Sequence, residues 1–230
     1  MLGTIVNCIA IIIGTLCGIT LKKGFPENIK SIIMQGFSIT VILIGVSMAI
    51  ESQNQLIVTL SIVIGGVLGE LLKIEDRLNQ VGALLEKRFS NREGNFTQAF
   101  VTASLVYCIG AMAIMGAIEA GLTGNYNTLF IKSILDGVSS IVFSSSLGIG
   151  VGFAALPVFI YQGSITLASS FIKSFLTDAI ITEMTSTGGL LILGIGINML
   201  GTGAKIKVGN LLPAIFVSIP LTIIFSNIGI

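Results

Sequence analysis

The chain of 230 residues has no histidine and no tryptophan, three cysteines, four prolines, and charge on only 10% of its positions. Each scarcity closes off a chemistry. Without histidine the commonest transition-metal ligand is missing, and any proton carrier has to be a carboxylate, a lysine or a tyrosine. Cys8, Cys17 and Cys108 lie inside apolar segments and form no Cys-x-x-Cys pair, which argues against a disulfide framework or zinc site and for small core residues. Twelve basic residues against eleven acidic ones leave a formal net charge of +1, so a nucleic-acid binder's basic face is missing. Gly148-Ile149-Gly150-Val151-Gly152 has glycines at a suggestive spacing, but a dinucleotide loop needs a preceding strand and a soluble fold. With no Gly-x-Ser-x-Gly elbow and no metal-ligand cluster, the expectation is a protein that is not an enzyme and carries no cofactor and no metal.

What the chain has instead is apolar length. Apolar residues make up 53% of it and the mean hydropathy is +1.00, far outside the range of soluble domains, so the reading is an integral membrane protein with the lipid bilayer as its first partner. A bilayer core needs about twenty apolar residues per helix. Such stretches run from Leu2 to Leu21, Ser31 to Ile50, Leu56 to Leu72 and Phe96 to Ile118, then through a long block from Thr128 to Ile172. That block exceeds one helix, and the serines and glycines near Leu147 to Gly150 are the natural place to divide it. Gly188 to Leu200, short unless Gly201 to Gly203 extends it, and Val208 to Ile228 complete about eight spans. The first begins without a basic leader or a cleavage site, which marks it as a retained helix. The expected fold is therefore all-α, a polytopic membrane helix bundle.

The chain also repeats itself. Lys30-Ser31-Ile32-Ile33-Met34-Gln35-Gly36-Phe37-Ser38 returns, one residue shorter, as Lys132-Ser133-Ile134-Leu135-Asp136-Gly137-Val138-Ser139, and Cys8-Ile9 upstream matches Cys108-Ile109. Two amphipathic stretches recur at a similar spacing. From Ile74 to Phe89 the apolar stripe is Ile74, Leu78, Val81, Leu85 and Phe89; later it is Ile172, Phe175, Leu176, Ala179, Ile180 and Met184, with Asp178 and Glu183 on the polar side. Both are expected to be surface helices. The organisation predicted is repeat one over 1–92, repeat two over 101–186 and a C-terminal helical pair over 187–230, the repeats inverted because three spans is an odd number.

Loop charge tests this topology. Ten of the twelve basic residues, those at 22, 23, 30, 73, 77, 87, 88, 92, 205 and 207, fall on one side of the eight-span arrangement, and that side is the cytoplasm. Both termini are then expected outside. Gly14 with Gly18, Gly65 with Gly69 and Gly148 with Gly152 stand four apart, a spacing that lets helix backbones touch, within the chain or between copies of a homo-oligomer. Pro157, Pro213 and Pro220 are expected to kink helices or to mark a broken one.

Asp136 is the residue that stands out. It lies about 12 Å into the fifth span at 1.5 Å per residue, where an unpaired carboxylate costs on the order of 2.5 to 3.5 kcal/mol or more. Lys132 is one turn earlier on the same face, so one reading is an internal ion pair that eases insertion. The other is a site for a cation, a proton or a polar solute, since the matching position in the first repeat is the polar Gln35. Asn7, Tyr107, Tyr161, Gln162, Asn198 and Asn210 are further intramembrane polar groups that serve as interhelical glue or as ligand contacts, Asn7 and Asn198 being the stronger candidates for the site. Glu70, near Lys73, and Glu119 are expected at the interfaces.

Several runs carry a resemblance. Tyr107-Cys108-Ile109-Gly110-Ala111-Met112-Ala113-Ile114-Met115-Gly116-Ala117-Ile118, then Gly121-Leu122-Thr123-Gly124 and Lys132-Ser133-Ile134-Leu135-Asp136-Gly137, resemble the YqgA/YdfK-like family of bacterial inner-membrane proteins. So do Gly188-Gly189-Leu190-Leu191-Ile192-Leu193-Gly194-Ile195-Gly196-Ile197-Asn198 and Gly209-Asn210-Leu211-Leu212-Pro213. The resemblance implies residence in the bacterial plasma membrane and brings no established substrate or site residues. Two function classes stay open: a secondary transporter or channel-like carrier for a small polar solute or ion, with Asp136 and Gln35 near the path, and a non-transporting structural or regulatory membrane partner.

Overall fold

The computed structural model describes residues 1–22, 27–89, 96–172, 176–201 and 205–228, and among them there is no strand. Lys23, Arg92, Lys173, Phe175, Thr202 and Gly203 lie outside the described residues, as do the side chains of Lys22, Lys30, Arg88 and Phe89. The helices are α1 (Leu2–Lys22), α2 (Glu27–Ala49), α3 (Gln55–Leu72), α4 (Ile74–Phe89), α5 (Phe96–Cys108), α6 (Ala111–Leu122) and α7 (Asn127–Leu147). A 3-10 segment over Ile149–Ala154 leads into α8 (Ala155–Leu167), α9 (Ser169–Ile172), α10 (Asp178–Met199), α11 (Val208–Leu211) and α12 (Pro213–Ile228). The segments Leu2–Leu21, Gln55–Leu72, Asn127–Leu147, Ile149–Leu167, Asp178–Met199 and Val208–Asn227 are long and apolar enough to cross a membrane. The α5–α6 pair makes a seventh if the two, bent by 59°, form one span, whereas the apolar run Met34–Ala49 is shorter.

The chain divides into two compact units: Met1–Phe37 with Asn79–Phe175, and Ser38–Leu78 with Leu176–Ile230. In the first, α1 and α7 run side by side in the same direction. Gly3 faces Leu129, Gly14 faces the Gly137 carbonyl, and Gly18 faces the Ile141 carbonyl, where an added Cβ would sit 2.2 Å from either carbonyl oxygen. Only the absence of a side chain lets these backbones meet, so dispersion and Cα–H contacts hold the seam. In the second unit α3 and α12 are antiparallel, Gly65 lying on the Ala214 backbone and Gly69 on Asn210, and α2 and α10 are antiparallel through Gly45, Gly189 and Gly196. Two of the three glycine pairs read from the sequence thus pack helices within the chain. The third, Gly148 with Gly152, flanks the break after α7 instead.

That break falls where the sequence divides the long apolar block, at Gly148, whose φ of 95° and ψ of −163° suit glycine alone among common residues. A second break was not foreseen. The stretch Phe96 to Ile118 is expected as one span, but Gly110 at φ 134° ends α5 and starts α6 in a new direction. Of the prolines expected to kink helices, Pro157 lies in the first turn of α8 and Pro213 opens α12, where a missing N–H is harmless, and only Pro220 lies inside its helix.

Helix α4 covers the predicted amphipathic stretch. The second such stretch is corrected. Residues 178–199 form one continuous helix, capped by Thr177, whose hydroxyl accepts from the Ile180 N–H, and 15 of its 22 residues are buried. Among the described residues, Asp178 to Met184 belong to this helix and not to a separate surface helix ahead of a short seventh span. Glu183, placed by periodicity on a wet face, is only 2% exposed, because Ser52 and the Gln53 and Asn54 N–H groups surround its carboxylate. Glu70, at the end of α3, pairs with Lys207 (3.0 and 3.1 Å) and accepts from Asn210, whose own carbonyl takes the Glu75 N–H. The Glu70 carboxylate holds the Lys207 ammonium above its ordinary pKa. Glu119 orders the turn after α6 by accepting from Asn125 and Thr128.

Candidate functional site

Three helices of the first unit converge on Asp136. Its Oδ2 accepts from Lys132 Nζ at 2.7 Å, one turn back on α7, and from Asn7 Nδ2 of α1 at 2.9 Å. The Asn7 amide also approaches Gln162 Oε1 of α8 at 3.5 Å. All four side chains are buried, Asn7 and Gln162 completely. Asp136 is the tenth residue of α7, about 14 Å from its start. Both charges therefore lie deep in a segment that can cross a bilayer, and pairing is what makes their burial tolerable.

The parallel α1–α7 seam explains the local geometry. Gly3 meets Leu129 and Gly14 meets Gly137, so Asn7 lies between those contacts, about a turn below Asp136, whose side chain leans back towards the start of α7 to accept from it. One turn after Asp136, Ser140 exchanges a 2.8 Å hydrogen bond with Tyr107, and Tyr107 and Phe143 meet edge to face at 5.8 Å. Tyr107 stands three residues before Gly110, so the break between α5 and α6 adjoins the ion pair. Broken helices open polar backbone groups inside a membrane only beside a cavity or protein.

The cluster is not closed on itself. Asn7 Oδ1, Gln162 Nε2, Thr4 Oγ1 and Thr166 Oγ1 are buried without a hydrogen-bond partner. Thr4 is one turn before Asn7 on α1, and Thr166 one turn after Gln162 on α8. The amide orientations are not arbitrary: reversing Asn7 would set its oxygen against the Asp136 carboxylate, and reversing Gln162 would set two NH₂ groups against each other. An acceptor on Asn7 and a donor on Gln162 are thus left open, and leaving buried groups unpaired costs about 1 to 3 kcal/mol each.

The predicted site residues fare differently. Asp136, Lys132 and Asn7 are brought together. Gln35 is exposed, and its described hydrogen bond goes to Ser31 Oγ on its own helix. Asn198 belongs to the second unit and commits both ends of its amide to Ile206, accepting the N–H at 2.8 Å and donating to the carbonyl at 2.7 Å. Gln162, read from the sequence with the other polar groups of the apolar segments, joins the cluster. Thr4 and Thr166 were missed, since a threonine within an apolar run gives no signal until its neighbours across the helix contact are known. Among the described residues no group of three His, Cys, Asp or Glu could hold a metal ion.

A family described as "Protein of unknown function (DUF554)" matches residues 2–223. The chain belongs to this family. The DUF554 relatives include the "Uncharacterized membrane protein YdfK" of Bacillus subtilis (strain 168), 37% identical over 229 residues that cover 98% of this chain and 96% of the relative. The "Uncharacterized protein YqgA" of Escherichia coli (strain K12) is 27% identical over 227 residues, 96% of each chain. The resemblance read from the motifs is therefore established over nearly the whole length. No solved structure matches.

Proposed function

We propose that this protein is a multi-pass protein of the bacterial plasma membrane that moves a small polar solute or ion, without enzymatic chemistry, and that the Asp136 cluster lies on the path. One observation carries the reading: a buried, charged pair is bordered by an unpartnered amide acceptor and an unpartnered amide donor, Asn7 Oδ1 and Gln162 Nε2. Groups that are costly to bury and left open are what a polar passenger would engage. The α5–α6 break beside the pair supports the same reading, as broken helices line binding sites in many carriers.

The finer architecture belongs to this proposal: eight spans, both termini outside, α4 on the membrane surface, and inverted repeats over 1–92 and 101–186. In an alternating eight-span chain the first and fifth spans run in the same direction, and the third and eighth in opposite directions. The parallel α1–α7 pair and the antiparallel α3–α12 pair support that arrangement. A second reading, a non-transporting structural or regulatory partner, is favoured by the 2.7 Å contact of Lys132 with Asp136 and the glycine seam beside it. Screening solutes for thermal stabilisation of the detergent-purified protein, followed by flux in proteoliposomes, separates the two, since selective binding raises stability by mass action. Transport predicts a stabilising solute that also crosses vesicles; a protein that no solute stabilises and no flux accompanies is the partner protein.

A further inference from the structure

The second unit holds a polar interior of its own. Among its described residues Glu183 is the one buried charged side chain, and no lysine or arginine pairs with it. Its Oε1 accepts the Gln53 N–H at 2.8 Å and the Asn54 N–H at 3.2 Å, and its Oε2 accepts the Ser52 hydroxyl at 2.8 Å. A carboxylate offers about four lone-pair sites. One on Oε2 is still open, and the negative charge is balanced only by dipoles at the start of α3.

One turn along α10, Thr185, Ser186 and Thr187 bury three hydroxyls that have no partner, at 4%, 0% and 0% exposure. Several other buried helical hydroxyls are satisfied, although Thr4, Thr15 and Thr166 of the first unit are not. Ser61, Ser133, Ser144 and Thr222 each donate to the carbonyl four residues earlier, which is how a hydroxyl in an apolar helix is normally satisfied. The α10 hydroxyls forgo that bond. Ser186 and Thr187 follow Glu183 by three and four residues and so share its face of the helix.

We propose that Glu183, Ser186 and Thr187 form a site for a dehydrated monovalent cation of sodium size. A hard cation takes oxygen ligands of the kind collected here, and a unit charge neutralises the single buried carboxylate. A divalent ion would leave excess positive charge in an apolar interior. The proposal is independent of the Asp136 reading, since both the charge and the hydroxyls lie in the other unit.

The test uses the full chain in detergent, with choline chloride replaced stepwise by sodium chloride at constant ionic strength while the melting temperature is followed. Sodium should raise it saturably, potassium should do so less, and isothermal titration with sodium should show one site. Ser186→Ala with Thr187→Val should abolish the sodium increment while melting at or above the wild type in choline, because each removes a hydroxyl unpaired without the ion. A melting temperature indifferent to sodium, no heat of sodium binding, or an increment that survives in the double variant overturns the site.

Discussion

Replacing Asp136 by asparagine separates stability from function at the buried pair. An asparagine oxygen in place of Oδ2 still accepts from Lys132 and Asn7, so what is lost is the charge rather than the hydrogen bonds. Lys132, 6% exposed, is then a buried ammonium without a counter-charge. Breaking such a pair from one side costs about 3 to 5 kcal/mol. At roughly 2 to 4 °C per kcal/mol for a chain of this size, the melting temperature should fall by roughly 6 to 20 °C. Adding Lys132→Met removes the orphaned charge, and the double variant should recover most of that loss. Function should not recover, because a polar path without Asp136 lacks its only carboxylate in the cluster: flux, or stabilisation by the transported solute, should be absent in both variants. Differential scanning fluorimetry and proteoliposome flux on the three proteins read both arms. Full transport in the double variant would refute the site assignment, and a single variant that melts with the wild type would refute the buried pair.

Other predictions rest on sterics and topology. Gly14→Ala places a Cβ 2.2 Å from the Gly137 carbonyl and should destabilise by about 1 to 3 kcal/mol or more as α1 and α7 are forced apart. Gly36→Ala meets nothing within 4 Å and should instead stabilise, by about 0.5 to 1 kcal/mol, through helix propensity, so chemical melts of the two variants should move in opposite directions. A cysteine at Asn125, in a background free of Cys8, Cys17 and Cys108, should react with a membrane-impermeant thiol reagent from outside the cell; labelling only from the cytoplasmic side would sink the proposed orientation.

The sequence by itself determined the class and most of the punctuation. Unbroken apolar runs of about twenty residues call for helices, since the backbone must be paired within lipid and barrel strands would alternate apolar with polar residues. Runs of apolar residues ended by lysine placed α1 and α3, and the glycine after Leu147 placed the end of α7 and the break at Gly148, because those signals are local. The Lys132–Asp136 pair was legible for the same reason: the i, i+4 spacing alone brings the two side chains together. What only the tertiary structure decided lies across helix contacts. Periodicity placed Glu183 in water, yet Ser52, Gln53 and Asn54, about 130 residues away, enclose it. Gln35 matched Asp136 in the repeated phrase but is exposed on its helix, and of the two asparagines named as candidates Asn7 joins the cluster while Asn198 does not; Gln162, read only as one polar group among several, completes it. A polar residue in an apolar run must turn towards protein, and the run does not say which side that is; the glycine seams, by fixing which helix backbones touch, do.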